Sequence, residues 1–285
     1  MKKLFLSTVL GMGLCCSQPA GHAQQYKEHI SKQFTLQSGV VAIYNVSGSV
    51  KVEGYSGDKV IFEVDKTISA DDSQTLEEGK KEFKLEFEQV GDSVIAYISA
   101  PYDSRPHRNS RNWDNHRRIE YHSKLEFTVK VPNSMSLDVG TVNDGNVVVK
   151  DVAGSLKVNN VNGSITIENA KGTTRAHTVN GGVTVTYLSV PPEPSSYYSV
   201  NGALKVSYPA NLNADFEFKT MNGQYYTDFP NVEILPTKVT KTENKNGEGT
   251  VYKLNKNSGV RIGSGGKLFK FETLNGNIYI TKHNG

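Results

Sequence analysis

Cysteine is nearly missing from this chain: Cys15 and Cys16 stand side by side near the N-terminus, and no other follows. Long apolar runs are missing too. The one candidate, Leu4 to Leu14, falls well short of the roughly 20 residues that span a bilayer. It follows Lys2 and Lys3 and leads to Gly21-His22-Ala23, with small residues at the positions a signal peptidase reads. Residues 1–23 therefore read as a signal peptide cleaved after Ala23. A lipid anchor is not expected: Leu14 precedes Cys15, and Cys16 has Cys15 before it and Gly13 three positions back. Cleavage removes both thiols, which excludes disulfides and cysteine-based metal sites from the mature chain. It also lowers the formal net charge from +3 to +1, because Lys2 and Lys3 leave with no acid. A near-neutral chain gives no support to a nucleic-acid role. Helical periodicity is scarce as well, with residues 73–83 the one weak helical stretch.

Glycine is abundant, and it keeps a rhythm. Gly145, Gly154, Gly163, Gly172 and Gly181 lie nine residues apart; Gly202 and Gly223 follow at intervals of 21, and Gly276 closes the series. Two and four residues after these glycines stand apolar side chains: Val147 and Val149, Leu156 and Val158, Ile165 and Ile167, Val183 and Val185, Leu204 and Val206, Ile278 and Ile280. Mostly polar residues separate them, which is the period-2 alternation of a strand with one buried face. Val152, Val161, Ala170 and Val179, each two residues before the next glycine, read as inward-pointing anchors. The turns are often Asn-Gly, a dipeptide that tolerates positive φ.

Asn-Gly also favours two-residue hairpins, so a meander and a stack of coils compete. The longer period favours the stack. Asn162, Asn180, Asn201 and Asn222 recur at 18, 21 and 21 residues, the length of a coil of two or three short strands. Stacked coils would set these asparagines above one another as an amide ladder. An outer-membrane barrel does not fit, since the strands are short and carry Lys, Thr and Glu outward. The expected fold is all-β: a β-solenoid, or β-helix-like stack of short strands, over residues 133–285. A looser β region spans residues 24–132. Within the latter, residues 33–66, 80–100 and 121–131 read as strands.

Residues 101–122, PYDSRPHRNSRNWDNHRRIEYH, depart from this pattern. They form an exposed basic loop between two strands and hold the single Trp. Arg105, Arg108, Arg111, Trp113, Arg117 and Arg118 are the candidate ligand-binding residues: guanidinium forks for an anion or acidic glycan, and an indole to stack on a ring. A metal site is not expected, because His107, His116 and His122 match no ligand spacing. No cofactor motif is present. For catalysis the outward positions offer Lys157, Thr166, Glu168, Arg175 and His177; Arg175 and His177 flank Ala176 and would share a face, a thin basis for a polysaccharide-active enzyme.

The stretch Leu125 to Gly172, with Val131-Pro132, Leu137-Asp138-Val139 and then glycine-headed strands, resembles a bacterial family of exported β-strand-repeat proteins. That family is classed with adhesins, has no determined function, and is related to autotransporter adhesin heads. Ile262-Gly263-Ser264-Gly265-Gly266 and Thr273-Leu274-Asn275-Gly276-Asn277-Ile278 are similar to its closing unit. The resemblance implies a β-helix-like solenoid at the cell envelope and brings no catalytic residue. With the signal sequence, the repeat and the missing active site, the expected function is a non-catalytic, exported binding scaffold with a glycan or another envelope component as partner; a purely structural envelope protein is the alternative.

Overall fold

The computed structural model describes residues 24–106, 118–236, 239–243, 250–254 and 258–283; the expected signal peptide lies outside them. In chain order, β1 (Gln24–Thr35) is followed by β2 (Val40–Tyr44), β3 (Val50–Tyr55) and β4 (Lys59–Ala70). The helix α1 (Ser73–Glu82) comes next, then β5 (Lys84–Val90), β6 (Ser93–Ala100) and β7 (His122–Pro132). The glycine-rich centre supplies β8 (Ser136–Gly140), β9 (Val147–Lys150), β10 (Leu156–Asn159), β11 (Ile165–Ala170), β12 (Thr174–Asn180) and β13 (Val183–Tyr187). Then come β14 (Ser196–Asn201), β15 (Leu204–Pro209), β16 (Ala214–Asn222), β17 (Tyr225–Thr227) and β18 (Glu233–Leu235). A hairpin of β19 (Val239–Glu243) and β20 (Thr250–Leu254) precedes β21 (Ser258–Ile262), β22 (Leu268–Asn275) and β23 (Ile278–His283).

The alternation seen in the sequence makes these strands. In β9, β10, β13 and β15 the first and third residues are buried and those between are exposed or half-exposed. The helix forms where alternation lapses. Asp72 caps it, accepting from the Thr75 amide at 2.9 Å, and Lys80 and Lys81 stand in its last turn, where positive charge suits the helix dipole.

Two open sheets hold the core between them. One has the order β1-β4-β7-β3-β9-β11-β13-β15-β23-β17; the other runs β18-β21-β16-β22-β14-β12-β10-β8-β2-β6-β5. We call them sheet I and sheet II. Consecutive strands step from sheet II to sheet I, so each pair makes one turn. In space the turns follow the order β6/β7, β2/β3, β8/β9, β10/β11, β12/β13, β14/β15, β22/β23, β16/β17. Neighbouring turns pair in parallel in both sheets. Parallel pairing excludes a hairpin meander. Residues 40–55, placed by sequence in the looser region, pair directly with β8 and β9.

The order differs from the chain at both ends. β6/β7 lies outside β2/β3, and β22/β23 lies inside β16/β17. This corrects the expected ladder. It runs Asn143, Asn162, Asn180, Asn201, Asn275, Asn222, each side-chain amide bonded to the next at 2.7–2.9 Å. Asn201 and Asn222, expected as neighbours, have Asn275 between them.

Two further expectations change. The glycines that follow these asparagines do not need positive φ; none of Gly163, Gly181, Gly202, Gly223 and Gly276 has it. They are glycine because the next turn lies directly against them. A Cβ on Gly163 would sit 2.1 Å from the Gly145 carbonyl oxygen, and one on Gly181 2.2 Å from that of Gly163. The anchors, moreover, are of two kinds. Val152 and Ala170 are fully buried, whereas Val161 and Val179 are half-exposed, because the odd and even corners of the nine-residue unit lie on opposite edges of the stack.

Candidate ligand-binding groove

The basic loop joins β6 to β7, in the position taken by a short Asn-Gly corner in later turns. Its first limb is tied down. Ser104 donates to the Tyr44 carbonyl at 2.7 Å and accepts from the Ile98 amide at 2.9 Å. Arg105 is committed within the fold: its guanidinium bonds Asp103 at 2.6 Å and Glu88 at 3.1 Å, and lies 3.8 Å from the Tyr97 ring centroid. The hydrogen bond to Asp103 raises its pKa above the ordinary arginine value. Arg118 is exposed at the other foot of the loop. Arg108, Arg111, Trp113 and Arg117, with His107 and His116, lie outside the described residues.

Beneath this limb, on the outer face of sheet II, is a groove of about 360 Å³. Ser104 and Pro106 form one wall; Tyr44, Asp138, Lys157, Asn159 and Asn160 form the floor and the other wall. The register explains why it is open. Tyr44 pairs with Gly140 and Gly140 with Asn159, so an outward row of side chains is interrupted at Gly140. A turn carries no side chain there, and the gap becomes a trough about one strand spacing, near 4.8 Å, to either side. Across it Asp138 accepts from Lys157 Nζ at 2.9 Å and from the Tyr44 hydroxyl at 3.2 Å. Burial, then the Asp138 charge, push the Tyr44 hydroxyl up to about 12, so it stays a neutral donor.

The same row continues to His177, Tyr198, Glu272 and Lys219 in register. His177 and Tyr198 meet edge to face with centroids 4.4 Å apart. Arg175 and His177 share this exposed face of β12. Glu168 does not: it stands on β11 in sheet I, 3.7 Å from Lys150. No acid among these candidates is brought to the Arg175–His177 pair, and among the described residues no cluster of His, Cys, Asp and Glu is arranged to hold a metal.

Sequence reasoning missed the groove. The available signal was Gly140 itself, a glycine standing at an outward strand position rather than at a corner.

No protein-family model matches the chain, and no curated protein matches it. Three solved structures are similar in outline. One, a proposed cell adhesion protein of Clostridium sporogenes, is 11% identical with a TM-score of 0.42, covering 90% of this chain and all of that one. Another, a proposed adhesin of Bacteroides fragilis, is 9% identical with a TM-score of 0.38, covering 90% and 97%. The third, a proposed lipid-binding protein of Parabacteroides distasonis, is 7% identical with a TM-score of 0.25, covering 90% and 97%. Similarities of this size leave the function to the chain's own residues. No helix among the described residues is long and apolar enough to cross a membrane.

Proposed function

We propose that the chain is an exported, non-catalytic binding scaffold, with residues 1–23 as its export signal. The two sheets form a flattened solenoid whose sheet II face holds an extended polar ligand, a glycan of the cell envelope. The observation that carries this reading is the trough at Gly140. It is shallow and polar, and offers the Lys157 ammonium, the Tyr44 phenol, the Asp138 carboxylate and the Asn159 amide. Polyhydroxylated ligands suit such mixed donors and acceptors, and the Tyr44 ring adds an apolar surface. The basic composition of residues 101–122 favours acidic glycans among them.

The test is binding of neutral and acidic oligosaccharides by calorimetry. Asn159→Ala and Lys157→Ala are expected to weaken binding about tenfold each, near 1.4 kcal/mol, with an unchanged melting temperature. If no glycan in a broad array binds at millimolar concentration, the reading fails.

A further inference from the structure

The turn β22/β23 comes last in the chain yet occupies an interior place. β22 pairs in parallel with β14 on one side and β16 on the other; β23 does the same with β15 and β17. Without it, β16 and β17 have no partner turn in the stack. The place is a slot with matched walls: backbone amides of Lys270, Gly202 and Ile278 close it through Ser195, Asn275 and Gln224. Phe269, Phe271, Ile278 and Ile280 fill it, each at most 1% exposed.

The segment that enters the slot hangs on a hinge. Between β21 and β22 the chain runs Gly263-Ser264-Gly265-Gly266-Lys267, and the three glycines have φ of 62°, 75° and 142°. Glycine opens such a turn to an extended strand at no steric cost. Five extended residues reach about 17 Å. β21 stays behind, held antiparallel to β16. A glycine hinge and a slot with matched walls are the parts of an exchange between identical chains.

We propose that β22/β23 of one molecule fills the slot of a second copy, so that the chain associates with itself by exchanging its closing turn. The proposal does not depend on the glycan reading. Exchange requires the turn to leave both neighbours first, so it is slow at room temperature and speeds up on warming below the unfolding midpoint.

The test uses two full-length chains, both carrying Cys15→Ser and Cys16→Ser. One adds Ser207→Cys, the other Thr281→Cys; these positions are in register on half-exposed sites of β15 and β23. Warmed together, concentrated and oxidised, they are expected to give a disulfide-linked heterodimer whose fraction rises with concentration. A mixture of Thr166→Cys and Thr281→Cys, whose positions are not neighbours, sets the collision background. Gly265→Ala, whose Cβ would lie 2.4 Å from Arg261 Nε, strains the closed hinge and should raise the heterodimer fraction. Ser207→Cys with Thr281→Cys in one chain should close internally and abolish exchange. Heterodimer at background at every concentration, or failure of that internal disulfide to form, overturns the proposal.

Discussion

At the corner between the sheets one four-residue pattern repeats: a small polar residue, an apolar residue, Asn, Gly. Thr178-Val179-Asn180-Gly181, Ser199-Val200-Asn201-Gly202 and Thr273-Leu274-Asn275-Gly276 are three copies. Each position has its own task. The first side chain is buried and donates to the glycine carbonyl of a neighbouring turn: Thr178 to Gly163 at 2.8 Å, Ser199 to Gly181 at 2.8 Å, Thr273 to Gly202 at 3.0 Å. It thereby satisfies an acceptor that the ladder leaves over. The glycine permits close approach. Gly163→Ala should therefore cost about 3 kcal/mol by overpacking. Gly91→Ala, at φ 55° with nothing within 4 Å, should cost only about 1 kcal/mol of left-handed strain. Urea unfolding compares the two. Asn201 donates to Asn180 and accepts from Asn275. Asn201→Asp removes the donor and sets two acceptors face to face. It should destabilise more than Asn201→Ala at pH 7, and recover when acid protonates the new carboxyl, as thermal melts across pH would record.

At the scale of elements, the strands were legible because alternation of apolar and polar side chains reports burial directly. The helix was legible from its lapse at 73–83. What packs on what was less so. Tyr187, Tyr197 and Tyr208, on β13, β14 and β15, are all fully buried, and nothing in the repeat pattern pairs them. The hydroxyl of Tyr197 joins those of Tyr187 at 2.7 Å and Tyr208 at 3.2 Å. Burial raises the pKa of Tyr197 and Tyr208 well above the usual tyrosine value. An unfolded tyrosine ionises near pH 10, so their contribution is intact below that pH and declines as pH climbs above it. Tyr197→Phe should lose about 1–2 kcal/mol at pH 7 and show a shallower alkaline decline. On the outer strand β1 the sign is the same but the window lower. His29 bonds Asp65 at 2.7 Å and Glu63 at 2.8 Å, and these hydrogen bonds, Asp65 foremost, raise its pKa above 6.5. The clamp on β4 is complete below the unfolded value and is released as pH rises through the raised one. An NMR titration should place His29 above 6.5, and Asp65→Asn should bring it back toward that value.

For the molecule as a whole, the repeat period revealed a stack but not its order. The period assumes that sequence neighbours are spatial neighbours. That holds from β8 to β15 and fails at both ends, where antiparallel strands carry the chain past one turn and back. No local residue signals such a skip; Asn275-Gly276 looks like the other corners and is separated from its partners by 53 and 74 residues. The groove was hidden for the same reason, since β2, β8 and β10 meet only in the folded register. Amide hydrogen exchange should expose the true order: residues 268–283 are expected to exchange as slowly as β14 and β15, unlike a fraying terminus, with β1 and β5 at the sheet edges fastest. The interior place of β23 also decides how the molecule bears tension. Six residues of it pair with β15 and three with β17, all running the same way. A pull on the C-terminal side meets one ladder over residues 281–283 and then two over residues 278–280, so a molecule tethered through that end resists more force than one whose last strand lies at a sheet edge.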